Sequence, residues 1–503
     1  MERRVICNTH FIVLQGATIG DNVRIHRGAT LGQADLLSIG SDVVIDDATI
    51  EPFGLEEGHM VLLPIVIGDR CSIGAKSIIA PGAVLVSGTQ MGPLSSSHEQ
   101  EDAQPSNRKY CRPGFPSPPL WLVVLCGMPI LAAVALVSYA PWVLVLRAMV
   151  MDARDAGWYK SDLTSVYSAF LWWITPQRMV YYFLLRIIHR CIVPPVRLLV
   201  VVLIKWSVIG RFTPQDKQRR MCGVNLFRYW LMAKLLPGGD LGGVAQLVGT
   251  HYEVISVVYR LLGAKIGKRV YWPGTGLEIV EYDLLEVGDD VVFGSRSIVM
   301  TSSACSSSRV VFDAGSMVAD RCVVLPGVVL RKGCVLGSGS LAPEGFEGPV
   351  GSMWVGSRAG SAVLVTPKDE AYTEKETSSP FGNAFYGDKA KYFVIPLWLV
   401  IPYNFLWQAV CVCYHNCPLL LSLFLAQYFA QFEDKSLHNP LSLFRVSICA
   451  FIPVHVSLSV AALLFDVVMK WCLIGRRVQG YYSWEDSSYC QRWQLHLTLQ
   501  VML

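Results

Sequence analysis

Aliphatic residues recur at every sixth position in three stretches of the chain. Val13, Ile19, Ile25, Leu31 and Leu37 form the first run, and Val61, Ile67, Ile73, Ile79 and Leu85 the second. Phe312, Val318, Val324, Leu330 and Leu336 form the third. Glycine follows the aliphatic at Gly20, Gly32, Gly68, Gly74 and Gly337, and in the pairs Ile39-Gly40, Ile266-Gly267 and Val287-Gly288. Pro81-Gly82 and Pro326-Gly327 fall in step as corners. A period of six suits neither the 3.6-residue turn of a helix nor the two-residue alternation of a strand. It is the period of a hexapeptide-repeat parallel β-helix. Each coil has three short strands, the aliphatic points into a triangular prism, and stacked coils lie about 4.8 Å apart. An unrelated all-β sandwich is the plainer alternative.

A second pattern is long and uncharged. No charged residue lies between Arg112 and Arg147, between Lys391 and Glu433, or between Arg445 and Asp466. Each stretch can hold the roughly 20 apolar residues of a membrane span. A weaker segment runs from Leu163 to Arg211, broken by Arg178, Arg186, Arg190 and Arg197. Tryptophans such as Trp121, Trp142, Trp206, Trp398 and Trp471 sit mostly near the ends of these runs, where interfacial aromatics belong. His415-Asn416-Cys417-Pro418 reads as the turn of a helical hairpin. Basic residues flank every soluble region: Arg108, Lys109 and Arg112; Lys217, Arg219 and Arg220; Lys389 and Lys391; Arg476 and Arg477. The positive-inside tendency then places the soluble domains on the cytosolic side, with an even number of crossings per block.

The fold class expected is a multidomain membrane protein: two left-handed parallel β-helix domains alternating with two α-helical transmembrane blocks. The segments are 1–92 (first β-helix), 93–118 (Pro/Ser-rich linker), 119–210 (membrane block) and 211–248 (amphipathic connector). They continue with 249–345 (second β-helix), 346–391 (linker), 392–475 (membrane block) and 476–503 (connector remnant). The two halves are copies. Leu36-Leu37-Ser38-Ile39-Gly40-Ser41-Asp42-Val43-Val44 is answered by Leu284-Leu285-Glu286-Val287-Gly288-Asp289-Asp290-Val291-Val292. Lys205-Trp206-Ser207-Val208-Ile209-Gly210-Arg211 is answered by Lys470-Trp471-Cys472-Leu473-Ile474-Gly475-Arg476, and Arg228-Tyr229-Trp230 by Arg492-Trp493. The order of the repeats suggests a truncated product or part of a larger assembly.

Composition narrows the class. Hydrophobic residues make up 52% and charged residues 16%, against about 25% charged in an ordinary globular domain. The mean hydropathy is +0.40. Disorder and a nucleic-acid-binding surface are excluded, and a net charge of +4 is too small to call for a polyanionic partner. The 15 cysteines form no CxxC pair, which reads as free thiols in a reducing compartment. Cys411, Cys413, His415 and Cys417 invite a metal reading, but their spacing suits no standard zinc site, and apolar packing is preferred; no metal is expected.

Gly249-Thr250-His251 followed by Tyr259-Arg260-Leu261-Leu262-Gly263-Ala264-Lys265-Ile266-Gly267, then Tyr271-Trp272-Pro273-Gly274 and Phe293-Gly294-Ser295-Arg296-Ser297, carry a family likeness. With the alternating β-helices and membrane helices, they resemble the membrane-embedded C-terminal region of poly-lysine-synthetase-type, single-module nonribosomal peptide synthetases. The resemblance implies amide-bond formation between an amine and an acyl group delivered as a phosphopantetheine thioester or acyl-CoA; no bound cofactor is expected. Neither an adenylation core nor a carrier serine motif is legible. The expected partners are therefore an adenylation/carrier protein in trans, or one missing from this chain, together with membrane lipid. Hexapeptide acyltransferases pack three β-helices around a threefold axis, so an oligomer completing that trimer is also expected.

Acyl transfer to an amine needs a base for the nucleophile and donors for the oxyanion. His251 and His26 are the catalytic candidates, and Thr250, Tyr271 and Arg296 the substrate-binding ones. His59 lies in an insertion of the first β-helix. For each histidine the plainer reading is a surface or turn residue. The second β-helix has no histidine after His251 and carries a serine-rich stretch, Ser302–Ser308, instead. Arg296 suits a phosphopantetheine phosphate or a carboxylate, with a structural salt bridge as its ordinary alternative. The competing function is a noncatalytic membrane scaffold or an export conduit.

Overall fold

The computed structural model describes residues 5–7, 16–25, 28–56, 59–97, 118–155, 176–215, 222–237, 241, 252–272, 276–302, 307–358, 360–366, 390–432, 440–482 and 486–500. Contacts divide the chain into two compact units. One comprises Met1–Gly127, Val208–Asp240 and Ile255–Ser379; the other Met128–Ser207, Leu241–Val254 and Pro380–Leu503.

The first unit holds the hexad regions, and its strands fall into parallel sheets visited in rotation. In the N-terminal region one sheet is built from Val5–Cys7, Val23–Ile25, Val44–Ile45, Ser72–Ile73 and Gln90–Met91. A second takes Thr18–Ile19, Leu37–Ile39, Ile65–Ile67 and Val84–Leu85, and a third Thr30–Leu31, Thr49–Ile50 and Ile78–Ile79. Val66 pairs with Val84 and Ser72 with Gln90, so one coil consumes three hexads. The hexad aliphatics fill the interior: Ile25, Leu37, Ile67, Ile73, Ile79 and Leu85 are all buried in one cluster, with Ile19 and Leu31 packed against it. Val61 departs from its expected interior place. It belongs to an antiparallel hairpin, Phe53–Glu56 with His59–Leu62, that leaves the coil after Ile50. Val13 lies outside the described residues.

The second hexad region repeats this plan. Its sheets are Lys265–Ile266, Leu285–Val287, Val310–Phe312, Val329–Leu330 and Glu347–Gly348; Val292–Phe293, Met317–Val318, Val335–Leu336, Met353–Arg358 and Ser361–Thr366; and Ile298–Val299, Val323–Val324 and Leu341–Ala342. The strands run past the boundary expected at residue 345, because Trp354 continues the ladder on Leu336 and an antiparallel strand, Ser361–Thr366, closes that edge. An antiparallel last strand blunts an edge that a further parallel coil would otherwise extend.

The two regions correspond residue by residue, and further upstream than Leu36 and Leu284. Thr18 pairs with Ser38 as Lys265 pairs with Glu286. Asn22 and Asp42 occupy corners at φ 57° and 57° and hydrogen-bond at 2.7 Å. Arg269 and Asp290 occupy the matching corners at φ 56° and 58°, where the guanidinium meets the carboxylate at 2.7 Å. Gly16-Ala17-Thr18-Ile19-Gly20 thus matches Gly263-Ala264-Lys265-Ile266-Gly267.

The second unit is helical. Helices α1 (Met128–Asp155), α2 (Pro176–Ile187) and α3 (Val193–Ile204) precede the connector helix α4 (Gly223–Leu235) and helix α5 (Tyr252–Leu261), the last two lying wholly or mainly in the first unit. Helices α6 (Leu397–Phe432), α7 (Pro440–Leu473) and α8 (Tyr489–Gln500) follow. Leu120–Asp152, Val180–Ile209 and Ile448–Leu473 are long and apolar enough to cross a membrane.

The hairpin turn expected at His415–Pro418 is not formed, since α6 runs through it and through Pro418. The polar side chain there finds helix-compatible partners. Asn416 donates to the Val412 carbonyl one turn back at 2.7 Å and accepts the Tyr182 hydroxyl of α2 at 2.9 Å. Cys411 and Cys413 stand two positions apart on this single helix, on different faces, and the Cys411 thiol donates to the Trp407 carbonyl.

Both copies of KWxxIGR end a helix in the same way. Gly210 and Gly475 take φ 71° and 69°, the left-handed stop at which glycine is favoured. The connector arginine then caps the exposed carbonyls: Arg228 donates to Ile209 and Arg211, and Arg492 to Leu473 at 3.0 Å. The two lysines sit differently. Lys205 is fully buried, whereas Lys470 is half-buried with its ammonium 3.8 Å from the Trp471 ring centre.

Candidate functional site

The family-like residues of the second hexad region gather at the end where α5 meets the first coil. Arg260 of α5 donates to the Ile266 carbonyl at 2.9 Å and to that of Gly267, satisfying two acceptors of the first coil. Gly263 has φ 110°, and a methyl group there would collide with the Asp283 carboxylate, whose other oxygen accepts the Phe212 backbone N–H at 2.9 Å. Gly267 approaches the Gly288–Asp289 backbone so closely that a Cβ would stand 2.5 Å from the Gly288 carbonyl carbon. The arginine and glycines of the signature therefore fasten a helical lid to the prism.

Beneath the lid the interior turns aromatic. Trp272 stacks on Phe293 with ring centres 5.2 Å apart, and Phe293 meets Phe312 edge-on at 4.9 Å. Tyr259 packs edge-on against Trp272 at 4.7 Å, and its hydroxyl is bound to the backbone N–H of Leu277 at 2.7 Å. The Trp272 indole N–H donates to Ser256 at 2.9 Å. Burial raises the Tyr259 phenol far above its ordinary pKa, and that of Tyr282 likewise, with the neighbouring Tyr259 adding to the effect. Neither serves as a base near neutrality.

The sequence-derived candidates fare unequally. His251, His26 and Thr250 lie outside the described residues, as does the His59 side chain. Tyr271 is a ladder residue: its N–H donates to Val291 and its carbonyl accepts from Phe293. Arg296 is exposed at a coil corner with φ 60°. One coil further on, in the register that pairs Phe293 with Val318, Arg321 takes φ 58° and is also exposed. The backbone positions of Arg296 and Arg321 thus stack along one corner about one coil spacing apart. The Arg321 N–H donates to the Ser295 carbonyl and the Ser295 N–H to the Asp320 carboxylate, which fix the corner backbone. Among the described residues no ion pair joins either guanidinium to an acid, although the Asp320 carboxylate lies at the same corner. Arg321 was not singled out from sequence; the register that pairs its coil with that of Arg296 is the signal that identifies it.

A second shared feature is the exit of the chain from each coil at one corner. The His59-bearing hairpin leaves after Thr49–Ile50. The serine-rich stretch leaves after the equivalent strand Ile298–Val299, and there Ser302 bridges Ser307 and Ser307 pairs with Gln215. Both hexad regions therefore let the chain leave at one corner, the first through a hairpin with exposed Met60 and Leu62, the second through a serine-rich stretch.

Residues 64–87 match the family described as the hexapeptide repeat of succinyl-transferase. The chain is also 24% identical over 378 residues to delta-poly-L-ornithine synthetase of Acinetobacter baumannii (strain AB307-0294). The alignment covers 68% of this chain and 26% of that protein. The chain thus spans about a quarter of the length of the curated relative it matches. An alignment of that length exceeds either hexad region and takes in both β-strand and membrane-helix segments. It is consistent with a poly-amino-acid-synthetase-type protein carrying hexapeptide repeats.

Proposed function

We propose that this chain is a membrane-bound acyl- or aminoacyl-transferase-like module of a nonribosomal-peptide-synthetase-like system, joining an acyl group to an amine. The observation that carries the reading is the similarity to a poly-ornithine synthetase across β-helix and membrane helices together. A polymer linked through the δ-amine is made by acylating a side-chain amine. In this proposal two left-handed β-helix domains alternate with two transmembrane blocks, with the soluble domains on the cytosolic face. The donor is a thioester of a phosphopantetheinyl carrier or CoA, supplied by an adenylation/carrier protein, and further β-helices in an oligomer complete the acyltransferase trimer. Arg296 and Arg321 hold the phosphate of the donor arm, as guanidinium pairs suit phosphate oxygens. His251 and His26 remain the proposed bases, with Thr250 and Tyr271 beside the substrate.

The second prism has no histidine after His251 and its end is packed with aromatics. That favours, as the second reading, a noncatalytic scaffold or conduit. The test is His251→Ala and Arg296→Ala/Arg321→Ala in the native host, with amide products followed by mass spectrometry. Loss of one amide family in both variants supports the transferase; unchanged products in both support the scaffold.

A further inference from the structure

The duplication leaves one contact made and its copy open. After the first KWxxIGR the chain turns at Gly210, and two residues on the Phe212 backbone N–H donates to the Asp283 carboxylate at 2.9 Å. Phe212 is buried, with the Arg228 guanidinium over its ring at 5.3 Å. Gln215 then pairs with Ser307 across an antiparallel bridge. The first connector is thus stitched to the corner of the second hexad region that holds Gly263 and Asp283.

Both halves of that contact recur in the other copy. The first hexad region builds the same corner: Ala34–Leu36 makes one 3₁₀ turn as Tyr282–Leu284 does, and Leu37 and Leu285 leave it at φ −104° and −98°. Gly16, at φ 90°, lies against Asp35 as Gly263, at φ 110°, lies against Asp283, and a methyl group on either glycine would collide with the aspartate. The second connector rebuilds the other half. Gly475 turns at φ 69°, and Arg492 caps the helix end before it as Arg228 does in the first. Counted from the two glycines, the counterpart of Phe212 is Arg477.

Neither of these halves is occupied. Asp35 is exposed where Asp283 is half-buried, and among the described residues no hydrogen bond or ion pair reaches the Asp35 carboxylate. The Arg477 N–H likewise meets no acceptor among them. Arg476, Arg477, Val478 and Tyr481 are all exposed, whereas Phe212 is covered. An open acid at one place faces two open guanidinium groups at the other in charge, and the first connector shows the geometry in which such halves meet.

We propose that residues 475–482 of one copy dock on the Asp35 corner of the first hexad region of a second copy. The Arg477 N–H donates to the Asp35 carboxylate there, as the Phe212 N–H does to Asp283, and its guanidinium adds an ion pair. The inference uses the duplication alone and is independent of the reaction proposed above. Each copy offers one open corner and one open connector, so the contact is heterologous. Two copies docking reciprocally fill both corners and both connectors and close a two-fold dimer.

Reciprocal docking makes charge complementation the decisive experiment. The whole chain, labelled with donor or acceptor dye, is reconstituted in zwitterionic liposomes, and energy transfer between copies is read against the protein-to-lipid ratio. The wild type is expected to transfer energy. Asp35→Lys sets cation against cation at both contacts, and Arg477→Glu sets anion against anion. Each alone should weaken association by about 10-fold or more, the worth of a charge-assisted hydrogen bond. Mixed one to one, the variants form one native contact and one with its charges exchanged, and energy transfer should return. That recovery also shows that both variants are folded. In parallel, Asp35→Cys in one tagged copy and Arg477→Cys in another should give a disulfide joining the two tags, with both substitutions in a single copy as the comparison.

A wild type that transfers no energy, single variants that associate like the wild type, or a mixture no better than either variant alone overturns the docking. A disulfide that forms only when both substitutions share one copy also overturns it, since the connector then meets its own first hexad region. If Arg477→Glu changes nothing but retention on vesicles containing anionic lipid, the arginines serve headgroups and the proposal fails.

Discussion

Gly263→Ala isolates the fastening of α5 to the second hexad region. The backbone there sits at φ 110°, and the added methyl would overlap the Asp283 carboxylate. Holding an L-residue at such a φ costs about 1–2 kcal/mol. Displacing the carboxylate breaks its bond from the Phe212 N–H, a charge-assisted contact worth about 1.5–3 kcal/mol. The sum is about 2.5–5 kcal/mol, equivalent to a fall of about 10²-fold to several times 10³-fold in local protection. Hydrogen–deuterium exchange of the whole chain in nanodiscs, followed in peptides across 265–293, reads that fall directly. The cycle with Asp283→Ala sharpens the test. With the carboxylate already gone, Gly263→Ala should cost only the backbone part, about 1–2 kcal/mol. Additive effects within about 0.5 kcal/mol would refute the argument, since they would show that glycine and carboxylate do not meet.

Three further outcomes are expected. Ile67→Ala, which empties an interior position, should destabilise the first hexad region by about 2–5 kcal/mol, whereas Val66→Ala beside it, 40% exposed, should stay within about 0.5 kcal/mol; equal effects in thermal melts would refute the inward-outward assignment. Burial lifts the Cys322 thiol to about 11 and raises Cys334 as well. Both therefore remain protonated thiols at pH 8, and iodoacetamide labelling resolved by mass spectrometry should be slow for both and rise steeply only in denaturant; fast labelling of the native protein would contradict the packing. Arg228→Ala, which removes a half-buried cap from two carbonyls, should cost about 1.5–3 kcal/mol of protection at 205–211, and Arg492→Ala, which removes an exposed contact to one, under about 1 kcal/mol at 470–476; the reverse order in hydrogen exchange would contradict the capping account.

The hexad interior was legible because a side chain every sixth residue has one place to go in a three-sided coil, and Ile25, Ile67 and Phe312 occupy it. The repeat of KWxxIGR was legible too, and the structure supplies its reason: a left-handed glycine followed by a distant arginine cap. Val61 misled because an antiparallel hairpin also alternates, and its residues satisfy a six-residue spacing by chance. Pro418 misled because a proline-containing motif reads as a turn, although Asn416 can bond back along the helix. Arg321 and the Phe212–Asp283 contact were not legible, since each depends on residues brought together by coil register or by the docking of a connector. Of the site residues chosen from sequence, Tyr271 and Arg296 have described positions, one in the ladder and one at a charged corner.

Single-turnover chemistry tests the functional account most directly. The chain in nanodiscs would be mixed with an ornithinyl thioester loaded on a phosphopantetheinyl carrier and with free ornithine, and the products separated by mass within one turnover. The proposed function predicts an amide product formed faster than hydrolysis and dependent on this chain. Thioester loss by hydrolysis alone, at the rate seen in empty nanodiscs, would contradict it.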